Sequence, residues 1–264
     1  MNKVSIIIPH YEMDDLLKSF CLANLYLFNS LDVETIVVDN GSKEPTEITG
    51  PQKVIRTNER LSFAAACNLG AKNTDADILI FLNNDCQVLP GCIETIAGAF
   101  KDDKVVISGA KLITTDGAIQ HEGIEFGKKR LPFHGLIAGE KDTTDPPKEA
   151  YRQVLAVTGA LMAIRSDWFK KVGGFCEDYE GGNYEDVDIC LKAIDQKKKV
   201  VVAMNARAIH LGGASYQIHP DEHTELKVRR NFEILNERWK KKPDSFFGIT
   251  EKTQLLPREE GWKL

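Results

Sequence analysis

The chain has 264 residues, of which 42% are hydrophobic and 28% charged; this fits one large globular domain, or one domain with a short appendage, and excludes a disordered chain. Thirty-four Lys and Arg against 39 Asp and Glu give a formal net charge of −5, which argues against nucleic acid as the main partner. Apolar runs of about five residues fall far short of the ~20 that a membrane-spanning helix needs.

The start at Met1-Asn2-Lys3 has neither the longer apolar region nor the cleavage site of a secretory signal. Six scattered cysteines without a Cys-x-x-Cys pair read as reduced thiols, not as a zinc or disulfide framework. The expectation is a soluble cytoplasmic α/β protein.

In chain order, uniformly apolar segments occur at Val4–Ile8, Thr35–Val38, Ile78–Leu82, Val105–Ile107, Leu161–Ile164 and Val200–Ala203. Such runs suit strands buried on both faces of a parallel sheet. Helical patterns alternate with them: Asp14–Leu27, a helix capped by Ser62 and running to Lys72, one opened by Pro90 and ending near Phe100, and a short one from Ser166 stopped by Gly173-Gly174. The βαβα rhythm through about residue 110 predicts a doubly wound sheet. Residues 114–152, rich in Gly, Lys, Asp and Pro, read as a long excursion or small subdomain. A further helix is expected over roughly 222–240, followed by a charged tail.

The first strand runs into Pro9-His10-Tyr11-Glu12 and the second into Asp39-Asn40-Gly41-Ser42. No GxGxxG follows the first strand, so a dinucleotide-dependent oxidoreductase fails on its missing glycine turn. Asp39 can accept hydrogen bonds from a ribose or base, or simply form the Asp-Asn-Gly turn. Asp85, closing Asn83-Asn84-Asp85 after a buried strand, has the same two readings, a turn former or an oxygen ligand for a divalent cation. Gly181-Gly182 precedes Glu185, Asp186 and Asp188, three carboxylates whose abundance the helix dipole alone explains. A dipole-stabilised Asp there stays ionised, as a general base must. His210 follows a strand and precedes Gly212-Gly213, which permit close backbone approach to a ligand.

The blocks Val4–Glu12, Val33–Ser42, Asn58–Gly70 and Ala76–Asp85 resemble inverting family-2 glycosyltransferases of the GT-A fold. Thr158–Arg165, Val172–Phe175, Tyr184–Lys192 and Ala206–Ser215 continue the likeness in the family's order. The resemblance implies an α/β GT-A domain over 1–216, with 114–152 as its variable acceptor-side wall and 217–264 as C-terminal helix and tail. It implies a nucleotide-diphospho-sugar donor and a saccharide or lipid-linked acceptor. Pro9, Tyr11, Glu12 and Asp39 would contact base and ribose, with Asn58, Arg60, Asn68 and Asn84 along the donor and Gly159 positioning sugar and acceptor.

Asp85 and His210 would hold a divalent cation (Mn2+ or Mg2+), and Glu185-Asp186 would be the catalytic pair with Asp186 as base. Asn83 stands where the family's DxD motif has its first Asp, and Cys176 where an Asp is common. His121 and His134 resemble a pattern of some polysaccharide-assembly members. Two alternatives accompany this reading. One is a domain that binds nucleotide-sugar or glycan without turnover, or acts as a partner subunit. The other concerns Lys227–Lys242, whose basic residues and interleaved apolar side chains could make peripheral contact with anionic lipid or could pack on the fold with solvated charges.

Overall fold

A computed structural model describes residues 3–23, 32–48, 53–135, 138–143, 147–212 and 225–249. The strands are β1 (Val4–His10), β2 (Val33–Asp39), β3 (Lys53–Arg56), β4 (Ile78–Leu82), β5 (Cys86–Val88), β6 (Val105–Ile113), β7 (Ile119–His121), β8 (Ile124–Phe126), β9 (Pro132–His134), β10 (Tyr151–Val154), β11 (Leu161–Arg165) and β12 (Lys199–His210). The helices are α1 (Asp14–Leu16), α2 (Phe63–Ala71), α3 (Cys92–Gly98), α4 (Ser166–Lys171), α5 (Glu185–Asp195) and α6 (Glu225–Trp239).

One sheet holds the strand order β10-β12-β6-β11-β4-β1-β2-β3, with β5 added to β12 and β7 to β6, while β8 and β9 form a separate hairpin. The half β4-β1-β2-β3 is wholly parallel, and β6-β12 is parallel too; β11 runs antiparallel between β4 and β6. This is the mostly parallel, helix-flanked sheet that the buried strands announce. The register aligns its chemistry. His10 pairs with Asp39, so β1 and β2 end at one level. Leu161 pairs with Leu82, so the turn before β11 stands at the carboxyl end of β4.

Helix ends follow local rules where the sequence supplies them. Ser62 accepts the backbone N–H of Ala65 and caps α2. Gly173 and Gly174, at φ 83° and 74°, stop α4. The third helix starts later than Pro90 suggests, at Cys92, because Gly91 turns left-handed at φ 77° as its N-cap. The helix after β1 is a short α turn that widens into a π turn over Leu17–Cys21; residues 24–31 of the expected helix lie outside the described residues.

Helix α2 lies on β1 and β2. A Cβ on Gly70 would come within 2.4 Å of Ile7 Cγ2 and 3.2 Å of Val38 Cγ2, so only glycine permits this approach. Gly70→Ala is expected to destabilise the fold by about 1–3 kcal/mol through overpacking. The check is a lower urea midpoint at unchanged slope.

The excursion carries β7, β8 and β9 and is held by buried charge. Lys111 pairs with Glu122 (3.2 Å) and Asp142 (2.8 Å), and Arg152 pairs with Glu122 at 2.6 Å. The last helix, α6, buries Asn231, Leu235 and Trp239 against the domain. Its apolar face is therefore committed to the fold, with Leu226 its one large exposed apolar side chain among the described residues. The lipid-docking expectation gains nothing from this packing. No helix among the described residues is long and apolar enough to cross a membrane, and the tail from residue 250 lies outside them.

Candidate active site

The site forms at the carboxyl edge of β4, β1 and β2. Pairing of β12 with β5 sets His210 opposite Cys86, which brings its ring beside Asp85. His210 Nε2 lies 3.2 Å from Asp85 Oδ1, and Leu211 donates its backbone N–H to the Asp85 carbonyl at 3.1 Å. On the other ring edge, Nδ1 of His210 is 2.6 Å from Gln120 Oε1. That carbonyl oxygen accepts a hydrogen bond from Nδ1–H, which leaves the Nε2 lone pair facing a carboxylate. Two acceptors so juxtaposed suit a shared cation, and Gln120 is the outer partner that fixes ring orientation. Asp85 and His210 bring one carboxylate and one imidazole together, and no cluster of three or more His, Cys, Asp or Glu side chains suited to a metal occurs among the described residues. A site of this kind takes its other oxygens from substrate phosphate and water.

Asn84, buried, donates from Nδ2 to Nδ1 of His10 (3.1 Å), and Nε2 of His10 donates to Asp14 Oδ1 (2.9 Å). Burial lowers the His10 pKa despite the Asp14 carboxylate, so the neutral ring accepts from Asn84. His10 is thus a site-organising residue to which the sequence reading assigned no role.

At β2, Asp39 is fully buried. It accepts from the backbone N–H groups of Ser42 and Thr46, both at 3.2 Å, and from Arg56 at 2.8 Å. Among the described residues these bonds leave one lone pair on Oδ1. The loop after β3 is tied to it by Asn40, whose amide exchanges two hydrogen bonds with the Leu61 backbone at 3.0 and 2.8 Å. This presents Arg60 with its guanidinium 3.6 Å over the Tyr11 ring. Pro9 lies in β1 and Asn58 is exposed on the same loop. Glu12, at φ 42°, bonds to Ser42 Oγ through its N–H and accepts from the Lys43 N–H.

Asn68 does not join this group. Its amide donates to the Phe175 carbonyl (2.9 Å) and to Glu177 (2.8 Å) and accepts from the Phe175 N–H (3.0 Å). The amide staples the 175–177 segment against α2. Cys176 in that segment is half-buried, and the residues from Gly213 to Ser215 lie outside the described ones.

The acidic pair opens α5. Asn183 (φ 123°) and Tyr184 (φ 73°) join Gly181 (φ 72°) in positive-φ backbone. Holding non-glycine residues there costs about 1–3 kcal/mol each and marks an over-determined segment. Strain aims the carboxylates: Glu185 accepts the Asn183 N–H at 2.7 Å, and Asp186 accepts those of Gly159 (2.8 Å) and Val187 (2.7 Å). A Cβ on Gly159 would lie 3.4 Å from both Asp186 Cβ and the Phe63 ring.

Burial pushes the Glu185 carboxyl up, and the charge of Asp186 pushes it further. Asp186 is raised by burial too, but hydrogen bonds from Gly159, Val187 and the Thr158 side chain oppose the rise. The donors around Asp186 favour its ionisation over that of Glu185. The turn Thr158-Gly159-Ala160 joins both halves of the site, since Asn83 donates its N–H to the Ala160 carbonyl at 2.9 Å.

The match to known proteins is extensive. The family model described as glycosyl transferase family 2 matches residues 5–173. An O-antigen biosynthesis protein, RfbC of Myxococcus xanthus, is 30% identical over 224 residues, 81% of this chain and 18% of its own length. The chain spans about a fifth to two fifths of the curated relatives it matches. Among solved structures, GalNAc-T7 with UDP, GalNAc and Mn2+ superposes with a TM-score of 0.63 at 17% identity, covering 80% of this chain and 44% of its own. The mannosyltransferase PcManGT of Pyrobaculum calidifontis, with GDP-Man and Mn2+, gives 0.61 at 16% identity over 94% of this chain and 68% of its own.

Proposed function

The chain belongs to glycosyl transferase family 2, and from that membership we propose that it moves a sugar from a nucleotide-diphospho-sugar to a hydroxyl of a saccharide or lipid-linked saccharide, with inversion at the anomeric carbon. The observation that carries this is the 158–160 turn, which bonds Asp186 through Gly159 and the Asn83-Asn84-Asp85 loop through Ala160. A base and a diphosphate site are thereby fixed to one short rigid segment, as an in-line displacement requires.

In this reading the acceptor hydroxyl attacks from the face opposite the nucleotide and Asp186 takes its proton. Glu185, whose burial favours the neutral form, orients sugar and acceptor. Tyr11, Arg60 and Asp39 hold the nucleoside, with Pro9, Glu12 and Asn58 framing it and Asn84 set by His10. A divalent cation, Mn2+ or Mg2+, would be held by Asp85 and His210 and would supply Lewis-acid stabilisation of the diphosphate leaving group.

The experiment is a thermal-shift panel of UDP, dTDP, GDP, CMP and ADP with and without Mn2+. A nucleotide at ~100 times its dissociation constant stabilises by ~2.7 kcal/mol. One nucleotide is expected to stabilise the wild type only with Mn2+ and to lose its effect in Asp85→Ala. A shift indifferent to both changes would retire the cation role.

One observation favours a second reading, a donor-binding domain or partner subunit without turnover. The Asn83 side-chain amide, in place of a carboxylate, lies 3.5 Å from His210 Nε2 and offers that lone pair a proton. Release of nucleoside diphosphate from the donor whose nucleotide gives the thermal shift separates the two: sustained release supports transfer or hydrolysis, and binding without release supports the second.

A further inference from the structure

Two histidines of the excursion meet the catalytic turn from behind. His121 is buried at the end of β7, and its Nε2 lies 3.3 Å from the Gly123 backbone N and 3.4 Å from that of Thr158. Both neighbours are donors, so Nε2 carries the lone pair and the ring proton sits on Nδ1. That Nδ1 is 2.9 Å from Nδ1 of His134, with the two rings edge to face. His134 accepts there and carries its own proton on Nε2. The two tautomers are thus fixed in series, ending at the Thr158 amide. The next groups along, the Thr158 side chain and the Gly159 N–H, both bond the Asp186 carboxylate.

We propose that His121 and His134 are positioning residues for Asp186: a neutral pair of fixed tautomer that locks the Thr158-Gly159 turn and so keeps the carboxylate aimed and ionised. This rests on the reading of Asp186 as base. Burial keeps both rings neutral, lowering His134 to about 4 and His121 well below the ordinary histidine value. His210 acts on both rings in the same direction, and Arg152 on His121, while the Glu122 carboxylate is engaged by Lys111 and Arg152. A proton on His121 Nε2 would confront two backbone donors and release the turn. Loss of the Gly159 and Thr158 bonds removes stabilisation of the charged form, so the Asp186 midpoint rises.

Two measurements test this on the full chain. In 15N-histidine-labelled wild type, His121 is expected as the Nδ1–H tautomer and His134 as Nε2–H; an Nε2-protonated His121 at neutral pH would overturn the proposal without any variant. In a 13C carboxyl titration, with Glu185 followed alongside because the two carboxyls titrate together, His134→Phe is expected to raise the Asp186 midpoint by about one pH unit. His121→Gln, which offers a carbonyl oxygen in place of Nε2, should keep the wild-type midpoint, whereas His121→Ala should not. Unmoved midpoints in His134→Phe and His121→Ala would also overturn it. The reading of Asp186 as base fails separately, if Asp186→Asn keeps its turnover while the titration behaves as expected.

Discussion

Asp186→Asn is expected to lower sugar transfer by about 10²–10⁴-fold and to leave nucleotide affinity at the wild-type value. The amide has the size of the carboxylate and its oxygen can still accept the Gly159 N–H, which the carboxylate receives at 2.8 Å. The turn therefore stays in place, and what disappears is the ability to take a proton from the attacking hydroxyl. Binding calorimetry with the nucleotide identified by thermal shift, beside release of nucleoside diphosphate from its sugar donor, reads the two effects separately.

The wild-type rate should also rise with pH through the first ionisation of the Glu185-Asp186 pair, because only the ionised base is active. Burial raises both carboxyls, so this limb lies above the ordinary carboxylate range. A variant with near-wild-type turnover would remove Asp186 from the mechanism.

Asp188→Ala is expected to cost about 3 kcal/mol of stability, chiefly by detaching α6. Asp188 is fully buried and accepts from Arg238 at 3.0 and 3.3 Å and from the Trp239 indole N–H at 2.8 Å; Lys192 lies 3.5 Å away. Removing the carboxylate leaves a buried indole donor unsatisfied and the Arg238 guanidinium with the more distant Asp178 at 3.7 Å, a loss typical of a broken buried pair. In a chain of this size the melting temperature should fall by roughly 6–12 °C. Asp188→Asn keeps one acceptor for Trp239 and should fall less. If the two variants melt alike, the Trp239 bond does not hold the helix.

Where local chemistry suffices, the sequence is readable. The Ser62 cap, the Gly173-Gly174 stop and the buried strands β1, β4 and β11 follow from side-chain oxygen, absent Cβ and uniform apolarity, properties that act over a few residues. The strands that carry no such run are invisible by the same logic. β3 is a mostly exposed edge strand and β5 has three residues, so each is a strand only because a partner lies beside it. β12 continues to His210 well past its apolar stretch because β5 and β6 pair with its polar end across a register shift. Gln120, His10 and Asn40 carry no pattern of their own and acquire roles only from what faces them. Asn68 shows the reverse: a position matched by resemblance whose amide the fold uses elsewhere.

The three carboxylates of the first turn of α5 mark the division most sharply. Composition and the helix dipole place Glu185, Asp186 and Asp188 together at a helix start after two glycines, and the sequence alone determines that acidic cluster and the doubly wound sheet beneath it. Which carboxylate does what was decided by long-range contacts. The turn before β11 bonds Asp186 and α6, 50 residues onward, bonds Asp188, while Glu185 takes the N–H of nearby Asn183. Periodicity and propensity describe neighbours along the chain. A hydrogen bond is set by a distance of about 3 Å in space, and only the closed fold brings those partners that close.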